Sequence, residues 1–285
     1  MQVETQIVDP KAREFLFTDA DFQRVRELIY RLAGISLSPV KRDMVYSRLA
    51  RRLRQTGHTS FAAYLDELTN SKGREWEEFV NALTTNLTSF FREEHHFPIL
   101  ADHLKSIGTA RPITIWCSAS STGEEPYSIA MTVVETFGEK VSHVSIVASD
   151  LDTNVLTVAR NGIYPIDRIE KLSPERHKRF FLRGSGSQEG QVRVRPALQQ
   201  MIRFQRINLL EPDWDIPSQL DVIFCRNVMI YFDKQTQYKI LSRFVPLIRP
   251  DGILFAGHSE SFLHAANLFR SRGKTVYVPA AKHKS

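Results

Sequence analysis

The chain has 285 residues, of which 42% are apolar and 25% are charged, and its formal net charge is +6. This composition is typical of folded globular proteins and excludes disordered and fibrous chains. No apolar run approaches the roughly 20 residues that a membrane span needs, and charged residues between Met1 and Phe17 exclude a signal peptide. We therefore expect a cytoplasmic protein of two domains, although a chain of this length also fits a single domain.

The two cysteines, Cys117 and Cys225, lie in or at the end of predicted strands and have no metal-ligand spacing. We therefore expect neither a disulfide framework nor a metal site. The positive net charge indicates an acidic partner, which could be nucleic acid, anionic lipid or an acidic protein surface.

Residues 1–83 are predicted to form an all-α N-terminal domain. Thr18 and Asp21 have the spacing of a capping box, and apolar residues then recur at helical spacing until Gly34. A second helix is predicted from Val40 to Gln55, a third after Ser60, and a fourth at residues 76–83. Residues 84–110 are predicted to be a linker with a connecting helix.

Residues 111–285 are predicted to form an α/β domain, because β-rich runs alternate with helical ones. A mainly parallel sheet with helices on both faces is expected, with an antiparallel strand at Thr275 to Val278. A glycine-rich loop before the alternating residues Gln191 to Arg195 predicts a small antiparallel insert at about 165–200. A solvated loop is the alternative. The predicted strands are Ile113–Trp116, Val144–Ala148, Met201–Ile207, Asp221–Cys225 and Ile253–Ala256, and the predicted helices are Pro126–Phe137, Thr153–Arg160 and Lys234–Ile248.

The turn after the first strand has the small residues that let a ligand approach the backbone. Ligands of open α/β sheets bind beyond the carboxyl ends of the strands. Gly123 is the turn's one glycine, so the G-x-G-x-x-G pattern of a dinucleotide site is absent. Glu124 and Glu125 would repel phosphate but suit an ammonium or sulfonium group. An ordinary strand-to-helix turn is the alternative.

Polar residues follow two other strands at the same edge. Asp150 is placed to accept hydrogen bonds from ribose hydroxyls, although it could instead cap the next helix. Arg226, Asn227 and Tyr231 interrupt an apolar run in which a fully buried strand would carry no polar group. Tyr231 could also be a core aromatic residue.

Two further groups of residues are candidates for binding. Between Asn86 and Arg92, amide, hydroxyl and guanidinium groups occur where the helical half meets the α/β half, although a capped helix start would carry similar residues. On the predicted second helix, basic residues lie close to one line that could dock an acidic helix, or could be an ordinary solvated face. These residues are Lys41, Arg48 and Arg52, flanked by Arg51 and Arg54.

Several long motifs, in order, closely resemble the chemotaxis receptor methyltransferases of the CheR family. The resemblance covers nearly the whole chain. The motifs are Lys41-Arg-Asp-Met-Val-Tyr46, Asn81-Ala-Leu-Thr-Thr-Asn-Leu-Thr-Ser-Phe-Phe-Arg92, Ser121-Thr-Gly-Glu-Glu-Pro-Tyr127, Ala148-Ser-Asp150, Asn208-Leu-Leu210, Arg226-Asn-Val-Met-Ile-Tyr-Phe232 and Phe255-Ala-Gly-His-Ser-Glu260.

The resemblance implies a Rossmann-like methyltransferase sheet and a protein-glutamate O-methyltransferase that uses S-adenosylmethionine and releases S-adenosylhomocysteine. Its substrates would be glutamates on the cytoplasmic helices of chemoreceptors, and their methyl esters would serve chemotactic adaptation in signal transduction. Arg92 and Tyr231 would lie beside the transferable methyl group. The residues implied to line the cofactor are Asn86, Thr88, Arg92, Glu125, Asp150, Asn208, Leu209, Cys225 and Arg226.

The resemblance also favours a receptor contact for Lys41, Arg48, Arg51, Arg52 and Arg54. A glutamate is ionised at neutral pH, so it needs no general base, and a guanidinium at Arg92 or Arg226 could orient it. In some family members the β insert binds a receptor C-terminal peptide as an added strand, and the loop from Arg183 to Gly190 is similar to theirs. The expected protein is a monomer without membrane insertion.

Three other functions were weighed. A nucleic-acid methyltransferase would explain the positive charge but usually carries an Asn/Asp-Pro-Pro-aromatic turn where this chain has Arg226-Asn-Val-Met. A receptor-binding adaptor without catalysis is disfavoured by the presence of Asp150, Glu125 and Arg92. A dinucleotide oxidoreductase is disfavoured by the missing glycines.

Overall fold

The computed structural model describes residues 13–70 and 73–280, so the outermost residues of the predicted ranges lie outside the described residues. The chain divides into two units, Met1–Thr84 and Thr85–Ser285. The segment predicted as a linker belongs, from Thr85 onward, to the second unit. There its helix α5 (His96–Ile107) buries Phe97, Leu100 and Leu104 in the main core, which gives the segment a fixed place.

The first unit is helical over the described residues. Helix α1 (Asp19–Ala33) begins at the predicted Thr18–Asp21 capping box and ends at Gly34, whose φ of 68° is left-handed. The predicted start of the second helix at Val40 is too early, because Pro39–Lys41 form a 3-10 turn. The remaining helices are α2 (Arg42–Thr56), α3 (Phe61–Asn70) and α4 (Arg74–Leu83).

The second unit contains a seven-stranded sheet of order β6-β2-β1-β7-β8-β10-β9. The neighbours from β6 to β8 are parallel, and β10 is antiparallel to both β8 and β9, so the predicted Rossmann-like mixed sheet is confirmed. The strands are β1 (Ile113–Cys117), β2 (Val144–Asp150), β6 (Ile202–Arg206), β7 (Leu220–Cys225), β8 (Ile248–Ala256), β9 (Phe269–Gly273) and β10 (Val276–Pro279).

Side chains alternate between two cores, one on each face of the sheet. Ile113, Ile115 and Cys117 of β1 point to one core, while Trp116 points to the other. Helices α5 and α6 (Glu124–Phe137) cover the first face, and α10 (Lys234–Phe244) covers the second. Helix α7 (Thr153–Asn161) follows β2 and packs against β2 and β6.

The predicted insert is a three-stranded antiparallel sheet of order β3-β5-β4. It consists of β3 (Ile163–Pro165), helix α8 (Pro174–Phe180), β4 (Phe181–Arg183), β5 (Gln191–Val194) and α9 (Pro196–Gln199). Its buried residues Tyr164 and Phe181 pack edge-on against Phe90, so the insert is joined to the segment before α5.

A search of the helices among residues 13–70 and 73–280 finds none with the length and apolarity that crossing a bilayer requires.

Candidate functional site

The candidate site lies at the carboxyl ends of β6, β2, β1 and β7, which are neighbours in the sheet. Parallel strands deliver the residues that follow them to one edge, where ligands of open α/β sheets bind. The predicted residues of this edge follow β1 (Glu125), end β2 (Asp150), follow β6 (Asn208, Leu209), or end and follow β7 (Cys225, Arg226, Tyr231). Topology therefore brings these seven residues to one region of the second unit.

The turn after β1 is held tightly between its neighbours. Ser121 has a left-handed φ of 48°, and its N–H donates to Asp150 Oδ2 at 2.8 Å. Gly123 has a φ of 101°, and a Cβ there would lie 2.8 Å from the Tyr164 hydroxyl. That hydroxyl donates to the Thr122 carbonyl at 2.7 Å. Gly123 is therefore required both by its backbone conformation and by the close approach of the insert.

Asp150 combines an anchored position with spare acceptor capacity. Its Oδ2 accepts from Ser121 N, and its Oδ1 accepts from Asp152 N at 3.0 Å. Leu151 is a third backbone partner of this carboxylate. Because the two oxygens have four lone pairs in total, acceptor capacity remains for a ligand hydroxyl. Burial raises the pKa of Asp150 to about 6. The alternative role as a helix cap is filled by Asp152, whose side chain accepts from Asn154 N and Val155 N.

Arg226 lies at the centre of a buried charged network. Its guanidinium is fully buried and contacts Glu125 Oε2 at 2.9 Å and Glu93 Oε2 at 3.4 Å, and it also donates to the Arg92 carbonyl. Burial raises the pKa of Glu125, against the opposing effect of Arg226. The prediction that Arg226 could orient a substrate carboxylate is therefore corrected, because carboxylates of this chain already occupy its guanidinium.

The sequence suggested that Glu124 and Glu125 both face a ligand, but the structure shows partners for each of them within the protein. Glu124 is completely buried, forms an ion pair with Arg168 of the insert and accepts from Thr122 Oγ1 at 2.6 Å. Glu125 accepts from Cys117 Sγ at 3.2 Å as well as from Arg226. Both glutamates thus have partners within the second unit, and Glu124 is shielded from solvent.

Side chains and backbone carbonyls of the segment from Thr85 to Arg92 both form hydrogen bonds with residues of the site. Asn86 Nδ2 donates to Asp152 at 2.8 Å, and the Asn86 carbonyl accepts from Ser121 Oγ at 3.1 Å. The Thr88 carbonyl accepts from Arg168 at 3.1 Å. The predicted residues Asn86 and Thr88 are therefore brought beside the turn after β1 and the end of β2.

Arg92 and Tyr231 both contact backbone carbonyls in the first part of this segment. Arg92 is half-buried, and among the described residues its guanidinium donates to the Leu87 carbonyl at 2.8 Å. The Tyr231 hydroxyl lies 3.4 Å from the Thr85 carbonyl. Tyr231 is the last residue of a 3-10 turn after β7 and is partly exposed, so it is not a buried core aromatic residue.

Asn208 and Leu209 continue from β6, which pairs directly with β2. Ile207 N donates to the Asp150 carbonyl at 3.1 Å, so the residues that follow lie next to Asp150. Asn208 Oδ1 accepts from Leu210 N at 3.0 Å, and Asn208 and Leu209 are both buried. Cys225 is completely buried at the end of β7. These residues form part of the floor of the site.

Sequence reasoning missed the residues that support the site from β8. Glu260 is buried and accepts from Asn227 N at 2.9 Å and Met229 N at 2.8 Å. Glu93 Oε1 accepts from Asn227 Nδ2 at 3.2 Å and from His258 Nδ1 at 3.1 Å. The motif Gly257-His-Ser-Glu260 was a signal for the residues after β8, and Glu93 follows Arg92 directly. No comparable signal identified Arg168.

The basic residues of the first unit do not form one continuous free face. Arg48 donates to the Ala82 carbonyl at 3.3 Å, near the end of α4, and Arg52 forms ion pairs with Glu75 and Glu78. Both side chains are therefore used within their own unit, and their role in docking a receptor helix stays a prediction. Arg54 contacts Glu14 from an exposed position, and Lys41 and Arg51 are exposed.

No group of three or more His, Cys, Asp or Glu side chains with metal-binding geometry occurs among residues 13–70 and 73–280. Cys117 and Cys225 are both free and buried.

Two sequence-family models match this chain. One is described as the CheR methyltransferase all-alpha domain and matches residues 20–84, and the other as the CheR methyltransferase SAM binding domain and matches residues 86–278. Together the matches span both units.

Curated relatives match over nearly the full length. The chain is 57% identical over 269 residues to chemotaxis protein methyltransferase 2 of Pseudomonas aeruginosa, covering 94% of this chain and 96% of that one. It is 50% identical over 276 residues to the chemotaxis protein methyltransferase of Escherichia coli, with 96% of each chain covered. Among solved structures, a TehB-like SAM-dependent methyltransferase from Corynebacterium glutamicum aligns with 63% of this chain and 84% of that one at 13% identity and a TM-score of 0.37.

Proposed function

The chain belongs to the CheR methyltransferase family, and we propose that it transfers methyl groups to glutamate side chains of chemoreceptors as a protein-glutamate O-methyltransferase. It is an S-adenosylmethionine-dependent methyltransferase of chemotaxis. The proposed product is a glutamyl methyl ester, and the proposed setting is receptor adaptation in the cytoplasm. The anchored carboxylate of Asp150, with spare acceptor capacity at the end of β2, is the observation that carries the proposal.

The residues at the sheet edge fit S-adenosylmethionine. Asp150 retains acceptor capacity beyond its backbone hydrogen bonds and so suits the ribose hydroxyls. The buried network pairs one guanidinium, Arg226, with the two carboxylates Glu93 and Glu125, and this excess of acidic groups suits a cationic ligand better than a phosphate. The residues proposed to line the cofactor are Asn86, Thr88, Arg92, Glu125, Asp150, Asn208, Leu209, Cys225 and Arg226.

When bound, S-adenosylmethionine supplies a methyl group activated by a sulfonium. The protein then has to position the acceptor, because a glutamate carboxylate is ionised at neutral pH and requires no general base. Arg92 is proposed to orient that carboxylate, since its guanidinium is half-buried and is not enclosed by carboxylates as Arg226 is. The partly exposed Tyr231 is proposed to contact the same group from the end of β7.

Receptor binding is proposed to use the exposed basic residues of the first unit. Lys41, Arg51 and Arg54 are exposed on or beside α2, although Arg54 is paired with Glu14, whereas Arg48 and Arg52 contact α4. Exposed charges of this kind mainly accelerate and orient association with an acidic helix. A receptor C-terminal peptide is proposed as a second partner, because β3 and β4 are edge strands of the insert and an added strand could pair with either.

The experiment that tests the proposal is methyl transfer from labelled S-adenosylmethionine to receptor-containing membranes, with RNA assayed in parallel. The expected result is label on the receptor that alkali releases as methanol, because carboxylate esters are labile to base. Label that resists alkali, or that appears in RNA, would contradict a glutamate acceptor. Calorimetry should detect binding of S-adenosylhomocysteine and no binding of NADH.

A further inference from the structure

The turn after β8, Gly257-His258-Ser259-Glu260, packs against the residues that follow β7. Glu260 accepts hydrogen bonds from the N–H groups of Gly257, Asn227 and Met229. A Cβ on Gly257 would lie 2.3 Å from Asn227 Nδ2, so this approach requires glycine. The turn therefore has a fixed position beside Arg226 and Asn227, and it presents His258 at the edge of the site.

His258 is held at one ring nitrogen and is open at the other. Its backbone N and its Nδ1 both lie 3.1 Å from Glu93 Oε1, while 67% of its side chain is exposed. Burial opposes the charge on Glu93, but Arg226 and the hydrogen bonds of His258 and Asn227 lower the pKa of Glu93 to about 2. An ionised carboxylate only accepts hydrogen bonds, so Nδ1 carries a proton, and Nε2 is also an N–H donor when the ring is the imidazolium cation. Nε2 has no hydrogen-bond partner among the described residues.

We propose that His258 is a further residue that contacts the methyl-accepting side chain, with the Nε2 N–H of its imidazolium form donating to the carboxylate of the substrate glutamate. This inference rests on the function proposed above. Glu93 contacts both His258 and Asn227, and these two carboxylate partners are joined at the position that follows Arg92 in the chain. His258 thus extends the row of acceptor-positioning groups from β7 to β8.

The role is one of positioning, because an ionised carboxylate loses no proton when it becomes an ester. A histidine that donates through Nε2 fixes the orientation of the carboxylate by binding one of its oxygens and leaving the other free. The charged and titratable groups around the imidazole are Glu93 in direct contact, Arg226 behind Glu93, Glu260 in the same turn, and His96 on the far side of Glu93. Burial lowers the pKa of His96 to about 4, so His96 is neutral in the assay. Glu93 keeps Arg226 and Asn227 as partners without the ring, so the ring is not needed to neutralise it.

Two substitutions separate this role from support of Glu93. In H258N the amide reaches the position of Nδ1 and can still donate to Glu93, but nothing occupies the position of Nε2. In H258Q the longer amide reaches toward the Nε2 position and can donate to the acceptor. His264→Gln is the matched control, because His264 is also an exposed histidine in the loop after β8.

The experiment measures kcat and KM for receptor methylation at pH 6.5, together with the Kd of S-adenosylhomocysteine. We expect H258N to lower kcat/KM for the receptor by about 10- to 100-fold, the range for a hydrogen bond to a charged group. H258Q should recover at least part of this loss, and the Kd of S-adenosylhomocysteine should change less than about twofold in both variants, as expected for a group outside the cofactor contacts. The control should match the unsubstituted protein.

Full activity of both variants, or activity retained in H258N and lost in H258Q, would overturn the inference. The second pattern is the one expected if the ring only supports Glu93. The unsubstituted protein in the same assay distinguishes the two proposals. If it does not methylate the receptor, the proposed function is wrong. If it methylates the receptor normally and the variants do so equally well, only the role of His258 is wrong.

Discussion

At the scale of single residues, the site depends on buried charged side chains whose ion-pair and hydrogen-bond partners lie far away in the sequence. The position of Asp150 could be predicted, because a parallel strand must deliver its last residue to the binding edge. The ion pairs of Arg226 with Glu125 and Glu93 could not, since they depend on how the segment before α5 packs against the sheet. The ion pair that Arg168 forms with Glu124 could not be predicted from the sequence for the same reason.

Cofactor binding should weaken in acid because of Asp150. The pKa of this carboxyl is raised to about 6, so acidification protonates it and removes an acceptor for the ribose hydroxyls. If only the ionised form binds, the affinity for S-adenosylhomocysteine should fall about tenfold between pH 7.5 and pH 5. Calorimetry over this range provides the measurement. D150N should bind more weakly and lack the pH dependence, and an equal slope in that variant would contradict the assignment.

Removing the guanidinium at Arg226 should destabilise the second unit strongly. R226M leaves Glu93 and Glu125 buried without their cation, and breaking a buried ion pair costs about 3–5 kcal/mol. Denaturant unfolding followed by circular dichroism measures this loss. R203M is the control, because Arg203 forms an exposed pair with Asp215 that should contribute less than about 1 kcal/mol. Similar stabilities of the two variants would argue against a buried network at Arg226.

At the scale of elements, the clearest patterns were predicted well and the half-exposed ones poorly. Strands β1, β2 and β7 are apolar because both of their faces are covered, and their predicted positions agree closely with the structure. Strand β9 was missed, because only Phe269 in it is buried and Arg-Ser-Arg-Gly gives no alternating pattern. The predicted helix ending at Ile248 instead stops at Phe244, since Ile248 already begins β8.

The contact between the insert and the turn after β1 predicts different effects for two alanine substitutions. Both Gly123 and Gly57 have left-handed αL backbones, but of the two a Cβ meets atoms within 4 Å only at Gly123. G57A should cost about 1 kcal/mol from backbone strain alone. G123A should cost about 2–4 kcal/mol, because displacement of Tyr164 or α7 adds to that strain. Thermal unfolding compares the two, and equal losses would contradict a tight contact.

The same two substitutions should also differ in their effect on cofactor affinity. In G123A the displaced turn no longer holds Ser121 against Asp150, so the affinity for S-adenosylhomocysteine should fall by at least about tenfold, the loss expected for one hydrogen bond to a charged group. G57A should bind normally.

At the scale of the whole molecule, the residues proposed for cofactor binding and those proposed for receptor docking belong to different units. The described site residues for the cofactor all belong to the unit that begins at Thr85, while the basic residues proposed for docking belong to the unit that ends at Thr84. The sequence indicated this division through the change from helical to alternating periodicity. It did not indicate which arginines remain exposed, because helical spacing alone cannot distinguish a solvent-facing arginine from one that packs on α4.

Charge reversal in the first unit should therefore affect receptor methylation without affecting cofactor binding. In K41E/R51E, electrostatic attraction to an acidic helix is replaced by repulsion, so KM for the receptor should rise about tenfold at low salt and less at high salt. The Kd of S-adenosylhomocysteine should be unchanged. Arg270→Glu on β9 is an exposed control of the same charge change that should leave both constants near normal. A salt-independent loss in K41E/R51E would contradict electrostatic docking.

The backbone conformation of the site also limits how far the protein can be stabilised without loss of activity. Seven non-glycine residues in the described part of the chain have positive φ, and four of them, Phe91, Glu93, Ser121 and Asn227, belong to the site segments. Each costs about 1–2 kcal/mol relative to glycine, out of a typical total stability of about 5–15 kcal/mol. Selection for thermostability in the laboratory should therefore find glycine substitutions at these positions. Such variants would survive heating and lose turnover, because the strained residues carry the side chains that hold the site in shape.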